Sequence, residues 1–258
     1  VRVLITAGGT REPIDRVRAI TNTSTGATGT ALAAALAAIG FAHTQHKPSD
    51  SEGRNGSICD RDVSPRMEAG TARLVPRGHS VELLRSAHAV APPPNLALAS
   101  QTFTTTESLE ARLRERLARG DIDAVLMAAA VADYRPTESA FAKIDSAADE
   151  LTLRLVRVPK LLPQLRAMSP RPLRIIGFKL TVGASHAERL AAVAAQFKTA
   201  HVDAVVHNDL SEIEAATARG TPHPFRFYTN SDDKSPPLHL GPAALAEAIH
   251  AFLMQPAK

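Results

Sequence analysis

Val1-Arg2-Val3-Leu4-Ile5-Thr6-Ala7-Gly8-Gly9 is the stretch that decides the fold. Residues 3–7 form an apolar run with no polar alternation, and two glycines follow at once. A strand that shows no polar face is buried on both sides, as in a parallel sheet covered by helices. Working outward, further strands are read at 80–85, 124–130, 173–178 and 204–207. Helical stretches at 30–39, 109–118, 187–198 and 242–254 alternate with them. The order strand, helix, strand, helix predicts an α/β fold: a Rossmann-like doubly wound, mainly parallel sheet.

Two segments break this rhythm. Residues 41–78 carry Pro48-Ser49-Asp50-Ser51-Glu52-Gly53 and show no apolar period. Without them, Ile39-Gly40 joins His79-Ser80 as a helix, a glycine stop and a strand. They read as a disordered surface insertion within a single domain spanning 1–258. Residues 134–172 hold Pro136, Pro159, Pro163, Pro170 and Pro172, with an alternating run at 150–156. Alternation predicts a half-exposed strand, hence a small β extension suited to dimer contact or to a substrate lid.

The bulk properties exclude several classes. A chain of 258 residues can bury a substantial core. A net charge of +4 is too mild and too evenly spread to indicate nucleic-acid binding, and it suits an enzyme of anionic substrates. Cys59 is the single cysteine, so an internal disulfide framework is excluded. No run of about 18 apolar residues predicts a membrane span, and the opening residues lack the pattern of a secretion signal. The expectation is a cytoplasmic protein. The ten histidines show no metal-ligand spacing. There is no G-x-x-x-x-G-K-[ST], no G-x-G-x-x-G and no G-x-S-x-G.

Five motifs could carry chemistry. In Ala7-Gly8-Gly9-Thr10-Arg11-Glu12-Pro13, glycines after the first strand let backbone N–H groups approach a ligand, or simply make a turn. Asn22-Thr23-Ser24-Thr25-Gly26-Ala27-Thr28-Gly29 precedes a helix, whose free N–H groups and dipole suit a phosphate; ordinary capping is the plain alternative. Ala128-Ala129-Ala130-Val131-Ala132-Asp133-Tyr134 ends a central strand, where ligands of open parallel sheets sit. Gly177-Phe178-Lys179-Leu180 places a lysine at another strand end. His207-Asn208-Asp209-Leu210 offers an amide and a carboxylate for a base, sugar or metal, or for an Asx turn.

Taken in this order, these segments resemble the phosphopantothenate–cysteine ligase family, also described as the DNA/pantothenate metabolism flavoprotein C-terminal family. The resemblance rests on residues 4–15, on Arg16-Val17-Arg18-Ala19-Ile20-Thr21-Asn22 with Ser24-Thr25-Gly26, on 128–134, and on Gly177-Phe178-Lys179-Leu180 and Asn208-Asp209-Leu210. The last two look most like the stand-alone bacterial form. The resemblance implies a CTP-dependent enzyme of coenzyme A biosynthesis, with Mg2+ as cofactor and a homodimeric assembly. It joins 4'-phosphopantothenate to L-cysteine through an acyl-cytidylate. By the same resemblance Asn22, Arg18 and Lys179 are catalytic, and Arg18, Asn22, Ser24, Thr25 and Gly26 bind the acid substrate. Gly8, Gly9, Thr10, Ala128, Ala129, Ala130, Asp133, Gly177, Phe178, Lys179, Asn208 and Asp209 would bind the nucleotide, and the metal ligands stay unassigned. Three departures stand out. Ala27 occupies a position where many relatives have lysine, 196–201 holds only Lys198, and the last helix opens on Pro242-Ala243-Ala244. Lys143, Lys160 and Lys179 are candidates to replace the lost cations. A dinucleotide-binding oxidoreductase and an inactive binding remnant of the same family are the competing readings.

Overall fold

In the computed structural model, residues 1–42, 79–94, 98–147 and 149–256 are described. The opening stretch forms β1 (Arg2–Ala7), and Val3 and Ile5 have no exposed surface. It lies in the middle of an eight-stranded sheet ordered β12-β11-β10-β9-β6-β1-β4-β5. The partners are β4 (Ser80–Ser86), β5 (Ala99–Phe103), β6 (Ala124–Met127), β9 (Arg174–Thr181), β10 (Ala204–Asp209), β11 (Pro224–Tyr228) and β12 (Leu238–Leu240). The strands from β5 across to β10 pair in parallel, and β11 pairs antiparallel with both neighbours. Numbered in chain order, the parallel strands β1, β4, β5, β6, β9 and β10 lie side by side as 3-2-1-4-5-6. That is the doubly wound order predicted from the alternation of elements, with its switch point between β1 and β6.

Helices cover both faces. On one, α1 (Ala27–Ala42) and α5 (Gly241–Leu253) bury Leu32, Leu36, Leu245 and Ile249 against Val3, Ile5, Leu126, Ile176 and Val206. On the other, α2 (Thr106–Leu117), a 3-10 segment (Leu162–Met168) and α3 (His186–Ala200) bury Leu109, Leu113, Leu165 and Val193 against Leu4, Val125, Ile175 and Val205. Neighbouring residues of one strand thus go to different cores, which is why the strands read as continuous apolar runs.

Several expectations are corrected. The central strand predicted over 124–130 ends at Met127; Ala128 and Ala129 break the ladder, and Ala130 pairs again in parallel with Gly9 as an isolated bridge. The strand predicted at 173–178 continues to Thr181. The first helix does not stop at Gly40 but runs to Ala42; the remainder of the expected insertion, 43–78, lies outside the described residues. The alternating run at 150–156 yields only β8 (Leu155–Arg157), paired with β7 (Tyr134–Pro136). Leu151, Leu153 and Leu155 are 53%, 36% and 42% exposed, so the alternation has no core beneath it to hold a longer strand. A second hairpin, β2 (Arg11–Pro13) with β3 (Ala19–Thr21), and a helix α4 (Leu210–Ala218) were not foreseen. Pro13 sits at the end of β2, and α4 is only 9 residues long; both give weak periodic signals.

Candidate functional site

The parallel strands all end at one edge, and the turns that follow β1 and β6 are sewn together there. Ala130 N donates to Gly8 O at 3.0 Å, and Thr10 N donates to Ala130 O at 3.2 Å. Two hydroxyls beneath tie the same turn down. Thr6 Oγ1 accepts from Ala129 N and Thr10 Oγ1 from Ala132 N, each at 3.0 Å. Gly8, Gly9, Thr10, Ala128, Ala129 and Ala130 are therefore brought together at the switch point.

The glycines here are packed against protein. A Cβ on Gly8 (φ +86°) would lie 2.8 Å from both Ala89 Cβ and Ser86 Cβ. One on Gly26 (φ +74°) would lie 2.7 Å from Ala89 Cβ and 2.9 Å from Gly8 N. Where a dinucleotide fold leaves backbone open to a pyrophosphate, this chain fills the space with Ala89. The residues after β4 are Ala87-His88-Ala89, with no acidic side chain to take a ribose. Both features weigh against the oxidoreductase reading.

Gly26 launches α1, and Ser24 and Thr25 are exposed beside its first turn, whose N–H groups face the edge. Asn22 stands over the switch point. Its Nδ2 donates to Ala130 O at 3.4 Å and to Val131 O at 3.2 Å. Two carbonyls can only be met by the NH2 group, so the orientation of the amide is determined. Oδ1, an acceptor, is what Asn22 presents outward.

Arg18 lies in the β2–β3 hairpin. Its Nη1 reaches Asp15 Oδ2 at 2.8 Å and Ile144 O at 3.1 Å, while Ile144 N donates to Asp15 Oδ2 at 3.1 Å. Burial would raise the Asp15 carboxyl, but N–H donors from Val17, Ile144 and Arg18, with the Arg18 charge, bring it down to about 2. This clamp, with the Ala140 N–H donated to Ile14 O, fastens the 140–144 segment to the hairpin; exposed Lys143 adjoins Ile144 in the chain. Neither Ile144 nor Ala89 was singled out from the sequence, nor was the pairing of Asp15 with Arg18.

The remaining candidates divide between the two faces. Phe178 packs on the α1/α5 side, and Asn208 follows Val206 there by strand alternation. Lys179 pairs in register with His207, and both follow Ile175 and Val205 to the α2/α3 side. Gly177, Phe178, Lys179 and Asn208 thus do not form one lining. Gly177 is buried under α3, where a Cβ would come 2.8 Å from Gln196 Nε2. Asp209 is buried and receives Thr181 Oγ1 at 2.6 Å, Gly183 N at 2.9 Å, and Ala184 N and Ser211 N at 3.0 Å. Burial opposes its ionisation, but these donors hold its carboxyl well below the usual range. Asp209 therefore caps α4 and anchors the turn before α3. Asp133 is exposed and ion-paired with Lys160. Among the described residues no group of three or more His, Cys, Asp or Glu side chains could hold a metal ion.

Comparison with known proteins agrees with the fold. Residues 1–44 and 67–251 match the family described as DNA/pantothenate metabolism flavoprotein C-terminal domain. The internal gap in the match, 45–66, falls within the stretch read from sequence as an insertion. The chain is 32% identical over 209 residues to the coenzyme A biosynthesis bifunctional protein CoaBC of Thermococcus kodakarensis, covering 81% of this chain and 41% of that protein. For the Mycolicibacterium smegmatis protein of the same name the figures are 28% over 221 residues, 83% and 44%. The chain thus spans less than half the length of these relatives. Among solved structures, the DNA/pantothenate metabolism flavoprotein of Streptococcus pneumoniae aligns with a TM-score of 0.72 at 21% identity, over 98% of both chains. A Cab2 variant in complex with phosphopantothenate-cysteine aligns with a TM-score of 0.65 at 18% identity, over 98% of this chain and 86% of that one. At such identities these structures bear on the fold alone.

Proposed function

The chain belongs to the DNA/pantothenate metabolism flavoprotein C-terminal domain family, and from that premise we propose that it ligates 4'-phosphopantothenate to L-cysteine at the expense of CTP. The observation that carries the reading is the edge itself: the turns after β1 and β6, the start of α1 and the Arg18 hairpin converge at the switch point of one parallel sheet. A triphosphate and a phosphorylated acid can be held side by side there.

In the first step the carboxylate of the acid attacks the α-phosphorus of CTP, forming the acyl-cytidylate and releasing pyrophosphate. In the second the cysteine amine attacks the acyl carbon, the acyl–phosphate bond breaks, and the amide and CMP leave. Arg18, held rigid by Asp15 and Ile144, offers its remaining N–H groups to anionic oxygens at little cost in side-chain entropy. Lys143, the chain neighbour of Ile144, is a further cation for the same anion. Asn22 does not donate to the acyl carbonyl, because its NH2 faces Ala130 and Val131. With Oδ1 outward, Asn22 accepts an N–H of the incoming amine and orients its lone pair toward the acyl carbon. Asp133 is paired and Asp209 enclosed by N–H donors, so Mg2+ would enter with the triphosphate as its counter-ion.

A homodimer is proposed with the 134–172 extension as the contact, on the strength of exposed Leu151, Leu153 and Leu155. No helix among the described residues is long and apolar enough to cross a membrane, and a cytoplasmic location is proposed from the substrates. The test mixes protein, phosphopantothenate, cysteine, Mg2+ and CTP. The expected result is pyrophosphate release that requires phosphopantothenate, followed by amide. Absence of release with NAD(P) binding would support the oxidoreductase, and absence of both the inactive remnant.

A further inference from the structure

Glu12 is a carboxylate with 3% of its surface exposed, and no basic side chain pairs with it among the described residues. It lies in β2 against the first turn of α2. Its Oε1 accepts from Thr106 N at 2.9 Å and from Thr106 Oγ1 at 2.7 Å. Thr106 Oγ1 is also 3.2 Å from Thr10 Oγ1, and Thr10 Oγ1 accepts from Ala132 N at 3.0 Å. Thr10 is wholly buried and Thr106 is 3% exposed.

Each hydroxyl has one proton, which fixes the direction of the chain. The Thr106 proton goes to the carboxylate, where the contact is shorter and charge-assisted. Thr106 Oγ1 must then accept from Thr10 Oγ1–H, and Thr10 Oγ1 in turn accepts from Ala132 N–H. All the bonds run one way, from the 130–132 turn to Glu12, so each polarises the next. Thr10 also donates its own N–H to Ala130 O, the carbonyl that receives the Asn22 amide. Both ends of the turn that receives the Asn22 amide therefore hang on Thr10, and the direction of the Thr10 hydroxyl is set by Glu12. Glu12 also takes the Thr106 N–H, which the Thr105–Ser108 capping box of α2 leaves free, but that capping does not call for the hydroxyl chain through Thr106 and Thr10.

We propose that Glu12 and Thr106 are positioning residues for the amide-forming step, acting through Thr10 and the 130–132 turn on Asn22. This rests on the ligase reading above. The decisive variants are Thr106→Val, which removes the hydroxyl with little change of shape, and Thr106→Ser, which retains it. Loss of one buried hydrogen bond corresponds to about a tenfold change. Thr106→Val is expected to slow amide formation about tenfold while pyrophosphate release stays within about twofold, and Thr106→Ser to restore the rate. In the ligand-free protein, hydrogen exchange in a 128–134 peptide is expected to quicken about tenfold in Thr106→Val, with a 109–117 peptide unchanged. Equal behaviour of the two variants, equal loss in both half-reactions, or unmoved exchange at 128–134 would overturn the proposal. If wild-type protein releases no pyrophosphate, the ligase reading fails instead, and the exchange comparison still decides whether the relay holds the turn.

Discussion

Gly26→Ala and Gly220→Ala form a matched pair that separates backbone strain from close packing. Both glycines have positive φ, +74° and +65°, so each alanine meets the same left-handed penalty of about 1–2 kcal/mol. Their surroundings differ. A Cβ on Gly220 has nothing within 4 Å, whereas on Gly26 it lies 2.7 Å from Ala89 Cβ, 2.9 Å from Gly8 N and 3.1 Å from Gly8 Cα. None of those atoms is the free end of a flexible side chain, and Gly8 is itself wedged against Ser86 and Ala89. Overpacking of this kind costs about 1–3 kcal/mol. Gly220→Ala should therefore lose about 1–2 kcal/mol and Gly26→Ala about 2–5 kcal/mol. At roughly 2–4 °C per kcal/mol for a chain of this size, the melting midpoint falls by about 2–8 °C and 4–20 °C respectively. Urea titrations of both variants, with calorimetry alongside, give the comparison. Equal losses would refute the claim that Gly8, Gly26 and Ala89 fill the space a dinucleotide would need.

Asn22→Ala should leave pyrophosphate release within about threefold and slow amide formation by about a hundredfold, measured by quenched flow; loss confined to CTP affinity would remove Asn22 from the second step. Burial, with His250 nearby, lowers His79 to about 4, and burial with Arg226 and Arg189 lowers His207 to about 4. Unfolded histidine titrates near about 6.5, so the unfolded chain takes up protons first and stability falls as pH drops from about 6.5 to 4. Urea midpoints at neutral and acid pH should show this slope, and His79→Gln should flatten it. Arg116 is 11% exposed at its side chain, pairs with Glu82 at 2.6 Å and also holds Asp121; Arg116→Ala should cost about 3–5 kcal/mol, with Arg116→Lys a poor rescue, as chemical denaturation would reveal. Leu153→Asp combined with Leu155→Asp should halve the sedimentation mass if the extension is the dimer contact, and leave it unchanged if the contact lies elsewhere.

The sheet was legible because burial on both faces leaves a mark that needs no partner to interpret. Val3 to Ala7 reads as a central strand whatever lies beside it, and strands alternating with helices permit few parallel orders. What stayed hidden depended on contacts distant in sequence. Residues 11–21 form a hairpin because Arg11 N and the Asp15–Ile144 clamp fasten it to 104 and 144. The run at 150–156 failed for the opposite reason, since its alternation is a local signal with no core to answer it.

The site was legible as a set of turns and illegible as a set of side chains. Residues beyond a strand end, such as Gly8, Gly9 and Ala128 to Ala130, converge because the sheet order makes them neighbours. Residues inside a strand obey alternation, and β9 runs three residues past Phe178, to Thr181. Lys179 and Asn208 accordingly leave the sheet on opposite faces, though they looked alike as strand-end motifs. A motif tells which polar atoms are present; hydrogen-bond direction tells which remain available. The Asn22 amide shows the difference. Its donors are claimed by carbonyls 108 and 109 residues away, so the group left for chemistry is the acceptor, and that choice was made by the turn rather than by the asparagine.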